Sequence, residues 1–279
     1  MPAWHHVTPM RQDASTGLWR GRAAIRTAVI GLAVALGQAC SPQPSLPPRV
    51  AAASDLQFAL SELADQFAKE TNERVELVFG SSGTLARQIQ DGAPFSLFLS
   101  ADERFVEQLV RAGKTKDAGV PYAIGRIVLF APPGSPLVPS EGLDGLATLV
   151  KQGRIGRFAI ANPDHAPYGR AAEQVLRKRG LWEALRPVLV LGENVSQAAQ
   201  FASAGDATGG IIAYSLALAP AMRTRGTYFL IAADEHAPLT QCMVLTTHAN
   251  TVAEQFYRYL QGQAARATLR QYGFVAPGP

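Results

Sequence analysis

The chain has 279 residues, 47% of them hydrophobic and 17% charged, with 25 Gly and 19 Pro. That length suits one large domain or two medium ones, and the apolar fraction is too high for a disordered chain. The formal charge of +4 is concentrated at the start, where Arg11, Arg20, Arg22 and Arg26 stand against Asp13 alone and leave +1 for everything beyond residue 39. A nearly neutral body argues against nucleic acid as a partner. A single membrane-like apolar run near the N-terminus excludes a polytopic membrane protein.

That run comes first in chain order. Arg20, Arg22 and Arg26 precede the uncharged stretch Thr27 to Gly37, followed by Gln38, Ala39 and Cys40. A basic region, a short apolar core and small residues before a cut predict a signal peptide over 1–39. The run is shorter than the roughly 20 apolar residues of a membrane span; an uncleaved anchor is the competing reading. Gly37 and Ala39 suit ordinary cleavage, and the Ala39–Cys40 bond is also where a lipoprotein signal peptidase would cut. Gly37 stands where such a box usually carries an aliphatic residue, so lipidation of Cys40 and plain secretion both stay open. Contact with a membrane is expected only if Cys40 is acylated. Residues 40–48 hold four prolines in Ser41 to Pro48 and form a Pro-rich linker, a semi-rigid spacer. Met10 is an alternative start after the polar lead.

From Val50 the pattern alternates. Leu56, Ala59, Leu60, Leu63 and Phe67 predict an amphipathic helix beginning near Ser54 or Asp55. A strand is expected over Val75 to Phe79, then a turn at Gly80-Ser81-Ser82-Gly83 and a helix from Thr84 to Gln90. A short strand, Leu97 to Leu99, and a helix around Phe105 to Val110 follow, stopped by Gly113. Ile127 to Ala131 reads as a strand ended by Pro132-Pro133-Gly134. Beyond it come a helix near Leu143 to Val150, a strand Phe158 to Ala161 and a helix Arg170 to Arg179. Strand Val188 to Leu191, helix Ser196 to Ala204 and strand Gly210 to Ala213 continue the series. Strands Tyr228 to Ile231 and Cys242 to Thr246 precede two closing helices, Val252 to Leu260 and Ala264 to Tyr272. Helices alternating with strands at these lengths imply an α/β fold around parallel sheets.

Catalytic and metal motifs are missing. No HExxH, GxSxG, P-loop or GxGxxG occurs. His165, His236 and His248 show no ligand spacing, and Asp102-Glu103 suits the start of a helix better than an acid–base pair. Two cysteines give neither a disulfide framework nor a metal set, and Cys242 is expected to be a buried apolar residue. What recurs instead is the uncharged turn before a helix: Ala53-Ser54-Asp55, Gly80 to Thr84, Pro167-Tyr168-Gly169 and Asn194-Val195-Ser196. Each is an ordinary cap taken alone. Several converging would bind an anion through N–H and O–H donors.

Ala51 to Leu56, Phe79 to Ile89, Gly92 to Asp102, Asn162 to Gly169 and Arg270 to Phe274, in that order, resemble the periplasmic molybdate-binding proteins of ABC transporters. The resemblance spans about residues 50–275. It implies a two-lobe periplasmic binding protein of type II, with parallel-rich sheets and the ligand in a cleft at the hinge. Lobe I is then expected over 49–130 and 236–279, and lobe II over 131–235. It further implies that Ser54 and Ser82 supply hydroxyl and backbone donors, with Ser81 an adjacent alternative to Ser82. Tyr168 and Val195 would supply backbone N–H groups. Asp55 would offer only its N–H, its carboxylate turned away from a dianion. Some relatives carry a ligand tyrosine where this chain has Ala213, and one residue's step reverses a strand side chain, so Tyr214 is not given that role.

The expected function is capture of molybdate, and of tungstate, for the membrane permease of an ABC transporter. No catalysis, cofactor or metal-cation site is expected, and the protein is expected to act as a monomer in the periplasm. Receptors for sulfate or another oxyanion, a secreted hydrolase using Ser54 or Ser82, and a structural lipoprotein with a vestigial cleft are the competing readings.

Overall fold

The computed structural model describes residues 46–277. The signal segment and Cys40 lie outside the described residues, as does most of the linker. The chain first builds four strands: β1 (Arg49–Ala53), β2 (Glu76–Gly80), β3 (Phe95–Ser100) and β4 (Val120–Gly125). Helices α1 (Gln57–Thr71), α2 (Ser82–Gln90) and α3 (Glu103–Arg111) run between them. It then crosses to β5 (Ile127–Ala131), β6 (Arg157–Ala161), β7 (Leu189–Gly192), β8 (Ala207–Ala213) and β9 (Thr227–Leu230). These are joined by α4 (Gly142–Lys151), α5 (Pro167–Lys178), α6 (Trp182–Leu185), α7 (Val195–Ala202), α8 (Tyr214–Leu218) and α9 (Pro220–Arg223). Finally β10 (Leu239–Leu245) returns to the first sheet, and α10 (Thr251–Leu260) and α11 (Gln263–Gln271) close the chain.

Two five-stranded sheets result, in the orders β2-β1-β3-β10-β4 and β7-β6-β8-β5-β9. They are mixed but parallel-rich, with four of the five strands in each running the same way. β1 is parallel to β2 and β3, but β10 is antiparallel to β3 and β4. Likewise β6 is parallel to β7 and β8, whereas β5 is antiparallel to β8 and β9. In each sheet one strand arrives from the far side of a chain crossing, and that return reverses its direction.

The expected lobe boundary moves. The expected first-lobe range, 49–130, takes in Ile127 to Phe130, yet β5 pairs Ile127 with Ala213 and Val128 with Leu230 inside the second sheet. The crossing lies at Gly125-Arg126, ahead of the prolines at 132 and 133 that look like the break. β4, absent from the sequence expectation, escapes notice because Pro121 interrupts its pattern; it is an edge strand, where proline is tolerated.

Each sheet has its own apolar packing. Val50, Leu60, Leu63, Phe67 and Phe256 fill one side of the first sheet, with α1 presenting its predicted stripe. Phe130, Phe158, Ile160, Leu176 and Ile212 fill the second. Cys242 is buried among Phe98, Val106 and Leu109, and burial pushes its thiol up to about 12, so it behaves as an inert apolar group. Phe158 on β6 is fully buried. Phe158→Ala is expected to cost about 3–5 kcal/mol of stability, read from urea unfolding of the purified protein.

Candidate functional site

The strand ends and helix starts of both sheets meet at one place. β1 ends at Ala53 and turns at once into a 3-10 turn, Ser54–Leu56. β2 ends at Gly80, and Ser81 caps α2 by accepting the Thr84 N–H, so the helix starts at Ser82, two residues before the expected Thr84. From the second sheet, α5 starts with Pro167 at its first position, three residues ahead of the expected Arg170. Asn194 caps α7 by accepting the Ser196 and Gln197 N–H groups, so Val195 is its first residue. Gly169 lets α5 approach β6, since a Cβ there would collide with the Ala161 carbonyl.

Ser54, Ser82, Tyr168 and Val195 line a tightly closed cleft of about 10 Å³, far under the roughly 300–1,000 Å³ of sites for drug-sized ligands. Ser54, Asp55, Ser81, Ser82, Tyr168 and Val195 are all on its wall. Among the described residues that line it there is no Lys, Arg or His. The N–H groups of Ser82, Tyr168 and Val195 sit in first helical turns, where no intrahelical acceptor exists. Three positive dipole ends therefore point into one space. A wider hollow between Tyr122, Arg266, Leu269 and Phe274 has no such convergence.

The hydroxyls are oriented by what already occupies their oxygens. Ser82 Oγ accepts from the Ala101 N–H at 2.9 Å and Ser54 Oγ from the Ser196 N–H at 3.3 Å, leaving each hydroxyl proton to be donated. Ser81 is spent differently. Its Oγ accepts from Thr84 N–H, lies 2.8 Å from Thr84 Oγ1 and is 2.9 Å from His165 Nδ1. That separates Ser82 from its neighbour as the available donor. Nε2 of the same histidine lies 3.6 Å from Glu193, forming a Ser–His–Glu string, but the serine in it is a helix cap with its oxygen committed. Among the described residues, Ser54 and Ser82, the serines considered as nucleophiles, hydrogen-bond no histidine.

Asp55 is fully buried, and its carboxylate turns toward Tyr168 and Gln241, accepting from the Tyr168 hydroxyl at 2.9 Å and from Gln241 Nε2 at 2.5 Å. Gln241 also receives the Tyr122 hydroxyl at 2.6 Å. Burial pushes the Asp55 carboxyl up to about 7. Gln241 and Tyr122 were not foreseen. The available signal was a polar residue in the Leu239, Gln241, Met243, Leu245 stripe of a buried strand. Tyr214 packs on Tyr228, ring centroids 5.5 Å apart, and is not on the cleft wall.

The lobes are held closed by bonds from one to the other. The Gly83 N–H donates to His165 O at 3.0 Å, Ser196 Oγ to Gln57 at 2.6 Å, and Arg170 Nη2 to Asp102 at 2.7 Å. Asp102 caps α3 as a helix-start acid and also holds Arg104. His236 Nδ1 faces the Ala237 carbonyl, and no group of three metal-ligating side chains occurs among the described residues.

Residues 48–275 match the family model described as bacterial extracellular solute-binding protein. The chain belongs to that family. This solute-binding protein is 36% identical over 250 residues to the molybdate-binding protein ModA of Azotobacter vinelandii, spanning 87% of this chain and 96% of that protein. It is 32% identical to ModA of Escherichia coli K12, spanning 81% and 88%. The solved periplasmic molybdate-binding protein of Azotobacter vinelandii superposes with a TM-score of 0.75 at 32% identity, covering 83% of this chain and all of that one. The mixed two-sheet, two-lobe architecture is that of type II binding proteins.

The Asp102–Arg170 bond has a pH signature. Burial works to raise the Asp102 carboxyl, but hydrogen bonds from Arg104 and Arg170 outweigh it and hold the group below its usual range. Its contribution is therefore present above the ordinary carboxylate pKa and lost as pH falls through the lowered one. Arg170→Ala is expected to cost about 1–2 kcal/mol at neutral pH. Denaturant melts at descending pH should show that deficit shrinking once Asp102 is protonated; a constant deficit would detach Arg170 from it.

Proposed function

We propose that this chain captures molybdate in the closed cleft and presents it to the membrane permease of an ABC transporter. The observation that carries the reading is the convergence of uncharged donors from both lobes on one small cleft. Ser54 and Ser82 offer hydroxyls, and Ser82, Tyr168 and Val195 offer first-turn N–H groups. A donor-lined site suits a fully deprotonated tetrahedral dianion. A protonated oxyanion would bury a hydroxyl with no acceptor, costing about 1–3 kcal/mol. Sulfate has the same charge but is smaller, so its bonds to a rigid cage lengthen at several donors together. Tungstate, nearly equal in size, is expected to share the site. The relatives named ModA support the same ligand.

Binding rather than catalysis is favoured because, among the described residues, neither Ser54 nor Ser82 is paired with a base. The backbone N–H of Asp55 is assigned as a further donor. No cofactor is invoked, and the working unit is one copy in the periplasm. Hinge closure would create the surface that the permease reads. An anchor at Cys40 would tether this unit to the membrane through the linker.

Calorimetric titration against molybdate, tungstate, sulfate and phosphate tests this. Molybdate and tungstate should bind far more tightly than the other two; equal affinity for sulfate would overturn the assignment. Ser82→Ala should weaken molybdate binding by about 1–3 kcal/mol, roughly 5- to 150-fold. Unchanged affinity would take Ser82 out of the site.

A further inference from the structure

The turn that brings Ser54 to the cleft carries, one residue later, a carboxylate in an unusual setting. Asp55 is 1% exposed; its side-chain partners are the neutral hydroxyl of Tyr168 and the neutral amide of Gln241, both on Oδ2, and the backbone N–H groups of Asp55 and Leu56 also favour its charged form, though burial outweighs them all. Oδ1 is buried with no hydrogen-bond partner. Among the described residues, no Lys, Arg or His hydrogen-bonds or pairs with it. The titratable groups facing it are Tyr168 from α5 and Tyr122 from β4, with Gln241 from β10 linking the two. α7 and α8 also pack on this turn, and they meet it with Ser196 on Ser54 and Ser215 on the Asp55 carbonyl, neither of them charged.

The enclosure depends on closure. Tyr168 belongs to the second lobe, Asp55 and Gln241 to the first, and Gly125, where the chain leaves the first sheet, makes room for them. A Cβ on Gly125 would run into the Tyr168 hydroxyl and the Gln241 amide. Lobes moved apart would take Tyr168 from the carboxylate and admit water, which favours its ionised form. With them together it has lost that water, gained no cation and shares a small cleft wall with the anion's donors.

Resting on the reading above, we infer that closure around the dianion is coupled to uptake of one solvent proton by the Asp55 carboxylate. The neutral acid removes the repulsion between the carboxylate and the guest, while Oδ2 keeps its bonds to Tyr168 and Gln241. Burial already raises the group to about 7, and a neighbouring dianion acts in the same direction. The bound form thus holds the proton more tightly than an open form with its carboxyl in water, where carboxyls titrate in their ordinary range. Anion affinity therefore falls by up to about tenfold per pH unit as pH rises from about 5 to about 7.

Calorimetry of molybdate binding to the mature chain, near pH 6.5 and in Mes and imidazole buffers of different ionisation heat, reads the proton directly. The expected result is a buffer-dependent enthalpy equal to about one proton taken up per anion, and loss of that dependence in Asp55→Asn. Wild-type heats that agree in both buffers would overturn the inference, whether or not the variant folds. So would proton uptake persisting in a folded Asp55→Asn protein, because another group would then be its source. No heat of binding in either buffer would instead defeat the oxyanion reading itself, and this inference with it.

Discussion

An N–H group in the first turn of a helix has no acceptor within its own helix, and the whole site is built from that deficiency. α2 comes from the first lobe, and α5 and α7 from the second; their first turns are aimed at the same small space. Water can satisfy such donors when the lobes are apart. In the closed form a guest must do so, and only one made of acceptors can serve every donor at once. Selectivity by charge and protonation state follows without any cation in the wall. The oxygens of Ser54 and Ser82 are filled by the Ser196 and Ala101 N–H groups, which leaves their protons to be donated.

The two sheets serve to aim those helix starts. A strand running parallel to its neighbours delivers every following turn to the same edge of its sheet, which is why β1, β2, β6 and β7 all feed the cleft. The antiparallel returns, β10 and β5, tie the two sheets together through the crossings on either side. Arg126 at one crossing donates to the Ile231 carbonyl at the other, 2.9 Å away, so the two connections form one hinge. The pairs Arg170–Asp102 and Ser196–Gln57, and the Gly83 N–H on His165, then register the faces around the guest. Asp55 stands apart from this uncharged economy. It is a carboxylate placed behind a site for negative ions, tolerated because Tyr168 and Gln241 turn it aside and because burial favours its neutral form.

Much of this was legible in the chain because local signals and tertiary roles coincide. The stripe of Leu60, Leu63 and Phe67 marks α1, and the cap residues Ser81 and Asn194 mark helix starts that are also donors. Where a local signal competes with a tertiary role, reading from sequence fails. Pro121 hides an edge strand, and the Pro132-Pro133 pair draws the eye away from the true crossing at Gly125. Direction of pairing was out of reach, since β5 and β10 are as apolar as their parallel neighbours and differ only in where the chain has come from. Gln241 and Tyr122 lie at sequence separations of 186 and 67 residues from Asp55, and no spacing rule joins them.

The central claim is most directly tested by a crystal structure of the mature chain grown with molybdate. The account predicts the ion in the cleft between the lobes, held by the Ser54 and Ser82 hydroxyls and by the N–H groups of Ser82, Tyr168 and Val195, with no cation in contact. An ion gripped by arginine, lysine or a metal, or seated away from those helix starts, would contradict it.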